Sequence, residues 1–266
     1  MLFKDEICEE YGSRMHRKSK KNFRDYVSSL AKKMGYPCKV EKNIFAKNVV
    51  MGNPEKAKFV LTAHYDTPPR LPKFFVKHML LHCLISLPLI ILGINYLLPE
   101  ILLSLNAPIK VFRALTYLLP IANIAICGGL IGYVMGLLGN ANKKNYNDNS
   151  SGVLAILNLM DKYKDAPQEI KDKFCFVLTD NEEKGLFGGF SYAHKHKKEL
   201  KNQTIINLDC VGKGNQFNMY YAGKKVPEIV KELNEKKHSK YIFNPKRSGF
   251  MSMSDDIAFT KYNHVR

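Results

Sequence analysis

The stretch Lys58-Phe59-Val60-Leu61-Thr62-Ala63-His64-Tyr65-Asp66 decides the fold: a short apolar run stops abruptly on an imidazole and a carboxylate. Such a run reads as a strand, and similar runs lie on both sides of it. Upstream, Lys47 to Met51 is a second strand. Before that, Phe23, Tyr26, Val27, Leu30, Ala31 and Met34 recur at helical spacing and meet Gly35, a natural helix stop. Downstream, the turn cluster Asn145 to Gly152 opens onto an apolar helix carrying Val153, Leu154, Ile156, Leu157 and Leu159. Strand and helix then alternate: strands at Phe174 to Leu178, Ile205 to Leu208 and Phe217 to Tyr221, helices after Gly185 and from Pro227 to Lys236. Alternation of this kind predicts an α/β domain with a mostly parallel sheet flanked by helices, whose ligand sites lie at the carboxyl ends of the strands.

Composition narrows the function classes. The 266 residues are 45% hydrophobic, which excludes a disordered tail or a fibre, and they carry 41 Lys and Arg against 24 Asp and Glu, a net charge of +17. That balance points to an anionic partner, either nucleic acid or an anionic membrane surface. The Lys-rich stretches Arg17 to Lys21 and His194 to Lys198 lack the interleaved aromatic residues of a nucleic-acid binder, so no nucleic acid is expected. Six cysteines without paired spacing indicate neither a disulfide framework nor a zinc ribbon. Acidic residues come directly after Met-Leu-Phe-Lys, so no cleavable signal peptide is expected.

The apolar residues are unevenly spread. Met79 to Leu98 is a run of 20 residues, and Ala114 to Leu138 a run of 25, with no Asp, Glu, Lys or Arg. About 20 apolar residues in a helix span the hydrocarbon core of a bilayer. Gly128, Gly132 and Gly136 recur every fourth residue and would give one helix a smooth face for its partner. The reading is a two-helix transmembrane hairpin, residues 79–138, inserted between residues 1–78 and 139–266 of the α/β domain; a buried hairpin inside a soluble domain is the alternative. Arg70, Lys73, Lys77, Lys143 and Lys144 flank the pair against Lys110 and Arg113 in the connection, which places the domain on the cytoplasmic side of an integral membrane protein. Anionic membrane lipid is then the expected partner for the charge.

The polar residues at the strand ends carry the chemistry. His64, Asp66, Asp148, Glu182, Glu183 and Asp209 all belong to one edge of the expected sheet, and a mixed set of one imidazole with several carboxylates suits zinc and its divalent neighbours. Singly, each has a bland reading: chance, a solvated loop, or a helix cap. In order, the segments Thr62 to Pro68, Asn147 to Val153, Asp180 to Gly189 and Asn207 to Gly212, with a weaker fifth at Ser254 to Phe259, resemble the dizinc aminopeptidases related to bacterial leucine aminopeptidase and glutamate carboxypeptidase. The resemblance implies two divalent metal ions, zinc in kind. It assigns His64 and Asp209 to one, Glu183 to the other and Asp148 as the bridge, with Asp66 orienting His64 and Glu182 as general base. It also implies a cis bond after Asp148, a peptide substrate and an aminopeptidase activity.

Two departures from the family stand out. Asp66 and Asp148 are 82 positions apart, with the hydrophobic runs filling the gap, where the family has a short loop. The usual last histidine ligand is replaced by Asp256, which either completes the site with Glu183 and Asp148 or caps the helix begun by Ile257. The family continues past the position of Arg266, so the second part of the domain reads as incomplete. If Asp256 does not bind, one-metal chemistry or a non-catalytic, membrane-anchored binding protein becomes the alternative to the enzyme.

Overall fold

The computed structural model describes residues 3–70, 140–222, 231–232, 235, 241–247 and 254–266. The expected membrane hairpin and most of the helix expected from Pro227 to Lys236 lie outside these residues. Among the described residues, no helix is long and apolar enough to cross a membrane. The chain divides into two compact units, Met1–Pro68 with Ala141–Arg266, and Pro69–Asn140.

The larger unit is an eight-stranded sheet with helices on both faces. Its strands are β1 (Cys38–Lys42), β2 (Lys47–Gly52), β3 (Phe59–His64), β6 (Phe174–Thr179), β7 (Thr204–Asn207), β8 (Gln216–Ala222), β9 (Ile242–Arg247) and β10 (Asn263–Val265); Pro69–Arg70 (β4) and Asn140–Ala141 (β5) form a separate two-stranded ladder. The order is β1-β2-β6-β3-β7-β10-β8-β9. The four central strands β6, β3, β7 and β10 run parallel, while β2 is antiparallel to β6 and β8 to β10. The sheet is therefore mixed with a parallel majority, four of its seven strand pairings being parallel. A hairpin at one edge and a reversed β8–β9 pair at the other enclose a parallel centre, and antiparallel strands at the margins of a parallel sheet are common.

Both faces of the centre are covered, which is why its strands read as unbroken apolar runs. On one face, α1 (Arg17–Lys33) and α2 (Ser151–Lys162) bring Phe23, Val27, Leu154 and Leu157 onto Met51, Leu61 and Phe176. On the other, α4 (Phe187–Lys195) brings Tyr192 and Ala193 onto Val50, Val60, Val177 and Ile205, with Phe259 closing the layer. A four-residue helix, α3 (Gln168–Lys171), precedes β6. The helix α1 ends as its sequence requires: Lys32 and Lys33 occupy the last turn, and Gly35 takes φ 75°, which a side chain would resist.

The sequence reading also did not foresee β1, β4, β5, β9 and β10, and for the last two the cause is identifiable. β9 contains Pro245 between Asn244 and Lys246, a pattern that an edge strand such as β9 tolerates. β10 is three residues long and too short for any period to register.

The chain is fixed on both sides of the gap between Asp66 and Asp148. Asn142 N donates to Pro68 O at 3.2 Å, so the insertion begins and ends at neighbouring points, the condition under which a long insert costs little. Arg14 anchors the same corner. It is wholly buried; Nε donates to Tyr65 O (2.5 Å), Nη1 to Tyr11 O (2.7 Å) and Ile7 O (3.3 Å), and Nη2 to Ser150 Oγ (2.8 Å). One guanidinium thus ties the residue between His64 and Asp66 to the turn two residues beyond Asp148. Replacing Arg14 with Leu leaves three carbonyls and a hydroxyl without their donor, and the expected loss is about 4 kcal/mol of stability. Arg14→Lys should recover little of it, because a single ammonium lacks the fork that reaches all four acceptors. Chemical-denaturation midpoints decide this, and a midpoint within error of the parent would refute it.

Candidate metal centre

Parallel strands end at the same edge, and this places the expected residues together. His64 is the last residue of β3, Asp66 follows two positions later, Glu182 and Glu183 lie in the loop after β6, and Asp209 is two residues past β7. Asp148 lies on the segment entering α2, where the Asp148–Asn149 peptide bond is cis, as the resemblance implied.

Two overlapping groups of donors converge: His64 with Asp148 and Asp209, and His64 with Glu182 and Glu183, the ligand atoms of each lying within 4.8 Å of one another. His64 Nε2 is 3.1 Å from Asp148 Oδ1 and 3.7 Å from Asp209 Oδ1. Its other nitrogen, Nδ1, faces Asp66, at 3.2 Å from the carbonyl oxygen and 3.6 Å from Oδ1. A histidine held by one nitrogen presents the other to a metal.

Asp66 also does something that sequence reading did not assign. Its Oδ1 accepts the backbone N–H of Glu182 (3.0 Å) and Oδ2 that of Glu183 (3.3 Å), so one buried carboxylate holds both the histidine and the glutamate loop. Lys20 of α1, itself buried, lies 3.9 Å from Asp66 Oδ2 and 2.6 Å from Asp180 Oδ1.

A second supporting chain reaches Asp209. Thr62 Oγ1 donates to Asn207 Oδ1 (2.8 Å), Asn207 Nδ2 to Ser254 Oγ (3.1 Å), and Ser254 Oγ to Asp209 Oδ2 (2.6 Å). Asp209 Oδ1 is left bare and aimed at the cluster. Asn149, the residue after Asp148, ties its own segment to the end of β7: Nδ2 donates to Leu208 O (2.8 Å) while Oδ1 accepts from Gly152 N (3.1 Å). A side chain on Gly152 would collide with Leu208 O, so glycine is what lets the start of α2 approach the end of β7.

Asp256 is placed elsewhere. Its carboxylate lies 3.8 Å from His264 Nε2 and 3.4 Å from Arg266 Nη1, all within the packing of the turn Asp255–Phe259 against β10, and it enters neither donor group. The same turn instead brings up Asp255, which accepts from Thr179 Oγ1 (2.5 Å) and keeps Oδ1 buried without a hydrogen-bond partner. No feature of a lone Ser-Asp-Asp triplet distinguishes which carboxylate points where.

The electrostatics ask for positive charge. Burial pushes Glu182 up to about 9, with Asp255, Asp66 and Glu183 adding repulsion that His64 only partly offsets. Burial and then Asp148 push Glu183 up to about 8, and burial takes Asp255 to about 7. Burial alone would lower His64, yet its contacts with Asp148, Asp209 and Asp66 raise it well above the ordinary imidazole range. Burial would likewise raise Asp209 and Asp66, but the combined pull of His64, Ser254 and Cys210 on Asp209, and of His64, Lys20 and the Glu182 N–H on Asp66, lowers both. Among the described residues, His64 and, beside Asp66, Lys20 are the cations set against these six carboxyl groups. Glu183 Oε1 and Asp209 Oδ1 are buried with no hydrogen-bond partner, the condition expected of oxygens built to hold a cation. Imidazole nitrogen with carboxylate oxygen is a zinc donor set, so these residues fit that metal.

A cleft of about 870 Å³ opens from Asp148, Glu182, Glu183 and Asp209 and continues along Phe217, Tyr220, Tyr241 and Phe243. It has room for a peptide terminus, with an apolar aromatic wall.

Comparison with known proteins bears on the fold and on the second half of the chain. Residues 139–266 match the model of peptidase family M28. The chain is 31% identical over 98 residues to the alkaline phosphatase isozyme conversion protein of Escherichia coli (strain K12), a match spanning 36% of this chain and only 28% of that protein. Among solved structures it is similar to a Zn-dependent exopeptidase from Parabacteroides distasonis ATCC 8503, with a TM-score of 0.56 and 14% identity over 96% of this chain and 78% of that one. It is also similar to a glutaminyl cyclase from Porphyromonas gingivalis, with a TM-score of 0.58 and 14% identity over the same shares. At such identities the structural likeness speaks for the fold.

Proposed function

We propose that the chain is a zinc-dependent metallopeptidase of the M28 type that removes the N-terminal residue of short peptides, anchored by a membrane hairpin at residues 79–138 with the catalytic unit on the cytoplasmic side. The observation that carries the reaction class is the convergence of His64, Asp148 and Asp209 beside Glu182 and Glu183, with buried carboxylate oxygens left bare. The two uncharged runs and their basic flanks support the anchor.

His64 and Asp209 would hold one zinc ion, Glu183 a second, and Asp148 would lie between them. Bound zinc supplies a Lewis acid for the scissile carbonyl and lowers the pKa of water toward neutrality. The protein supplies the rest. Glu182, which lines the cleft and would be ionised once positive charge fills the site, takes the proton of the attacking water on its carboxylate and returns it to the departing amine. Asp66 keeps Glu182 and His64 in register through the contacts described above. Because Asp256 is engaged with His264 and Arg266, the Glu183 position has fewer donors, and the second ion is expected to be the more weakly held.

The cyclase likeness gives a second reading, closure of an N-terminal glutaminyl residue by the same proton transfers. Metal analysis of the full chain, with a screen of aminoacyl p-nitroanilides and N-terminal glutaminyl peptides, separates the two. Bound zinc with anilide hydrolysis is the expected result. Ring closure without hydrolysis moves the assignment to cyclase, and neither metal nor turnover removes the enzyme altogether.

A further inference from the structure

A second cavity of about 190 Å³ lies between α1, the β1–β2 turn and residues 180–184. It is lined by five cationic side chains, Arg17, Lys20, Arg24, Lys47 and Lys184, against the single carboxylate of Asp180. Lys20 already pairs with Asp180 at 2.6 Å and Arg24 Nη1 donates to Tyr65 Oη at 2.7 Å, so Arg17, Lys47 and Lys184 are the cationic residues left without a carboxylate among the described lining. Its volume is that of a small anionic group.

The rim has the opposite character. Ile44 is 91% exposed and Phe45 58%, at the tip of the β1–β2 turn. Phe45 stacks on Phe187 with ring centroids 5.1 Å apart, and Phe190 lies one turn further along α4, also exposed. This tip is held in place: Asn43 Oδ1 accepts from Phe45 N (2.8 Å) and Ala46 N (2.5 Å), and Asn43 Nδ2 donates to Ser191 Oγ (2.6 Å). A rigid apolar knob projecting into water beside an unmatched cationic cavity fits neither a core role nor a solvated face.

We infer that this surface binds an anionic phospholipid of a membrane, the phosphate of the head group entering the cavity and the acyl region meeting Ile44, Phe45, Phe187 and Phe190. Charge complementarity selects the head group, since each basic side chain near an anionic lipid surface contributes favourably. Exposed aliphatic and aromatic side chains adjoining such a cluster insert at the head-group boundary, which a free phosphate or a nucleic acid would leave in water. This inference stands independently of the peptidase reading, because none of its cavity-lining side chains is assigned to the metal or to proton transfer.

The chain contains no tryptophan, so Phe45→Trp installs a single fluorophore at the knob. The full chain carrying it, in neutral detergent micelles, is titrated with phosphatidylserine, with phosphatidylcholine, and with inorganic phosphate. The expected result is a blue shift with phosphatidylserine, quenched when its acyl chains are brominated, and a much weaker response to phosphatidylcholine. Adding Arg17→Gln and Lys47→Gln should raise the phosphatidylserine midpoint roughly 30-fold, about fivefold for each charge removed. Equal responses to the two lipids, absence of bromine quenching, or a full response to inorganic phosphate alone would each overturn the assignment. Ile44→Trp provides the same readout should Phe45→Trp disturb the stack on Phe187, and a silent Ile44→Trp in folded protein also counts against it.

Discussion

Glu182→Gln lowers kcat by roughly a thousandfold while leaving zinc content and fold unchanged; positioned general acid–base groups contribute about 10² to 10⁴. The prediction rests on a division of labour between the residue's backbone and its side chain. The backbone N–H of Glu182 donates to Asp66 Oδ1 at 3.0 Å, a contact that glutamine keeps. The carboxylate lines the cleft beside Glu183 and Asp148. An amide of the same shape fills that space but cannot take a proton from water. Because the step removed belongs to the transition state, kcat and kcat/KM should fall together and KM should change little. Asp66→Asn is the contrasting variant: it weakens an acceptor of two backbone donors and a partner of His64, so it should lower zinc affinity as well as turnover. A Glu182→Gln protein with turnover near the parent, or one that has lost its zinc, would contradict the assignment.

The residues named in that contrast were legible in the sequence for a physical reason. Parallel strands bring their carboxyl ends to one edge, so polar residues directly after apolar runs are candidates to meet, and His64, Glu182, Glu183 and Asp209 do so. What was not legible is what holds them. Ser254, Asn207 and Thr62 form a relay to Asp209 across residues far apart in sequence, and no local pattern announces a serine whose hydroxyl ends on a carboxylate. Lys20 belongs to the Lys-rich stretch Arg17 to Lys21, and such a run is usually a solvated face, yet it and the nearby Arg14 are buried against the site. Asp256 was misdirected by a related limitation. The triplet Ser254-Asp255-Asp256 fixes which residues are adjacent, but the tight turn at Asp255–Phe259 and the strand β10 decide which carboxylate faces the cluster and which meets Arg266. The mixed direction of the sheet was lost in the same way, since apolar alternation locates strands without giving their sense.

The second large effect is a coupling of zinc to protons, and its sign follows from the carboxylates. Glu182 and Glu183 stand at about 9 and about 8 against an ordinary value of 4.5, first because they are buried and then because they repel their neighbours. A carboxyl whose folded pKa is raised holds its proton in the native state while the unfolded chain has lost it. Stability of the metal-free protein therefore falls as pH rises from about 4.5 toward about 9, by up to about 1.4 kcal/mol per unit for each such group. His64, raised above its ordinary value, adds to the same trend, its contribution being lost as pH passes its folded pKa. Asp66 and Asp209, both lowered, act only at the acid end, where protonating them removes stability. Zinc must displace the protons on its ligands, so its affinity should rise with pH, by about 100-fold per unit if two protons are released per ion. The expected observation is a small gain in Tm on adding zinc at about pH 5.5 and a large one at about pH 8.5, the reverse of the trend in metal-free stability. Calorimetry in two buffers of different ionisation enthalpy counts the protons directly. Glu183→Gln should reduce the count by about one, because a glutamine has none to give. Zinc that stabilises the chain equally across this range, or binds without releasing protons, would show that the carboxylate cluster is not the place where it sits.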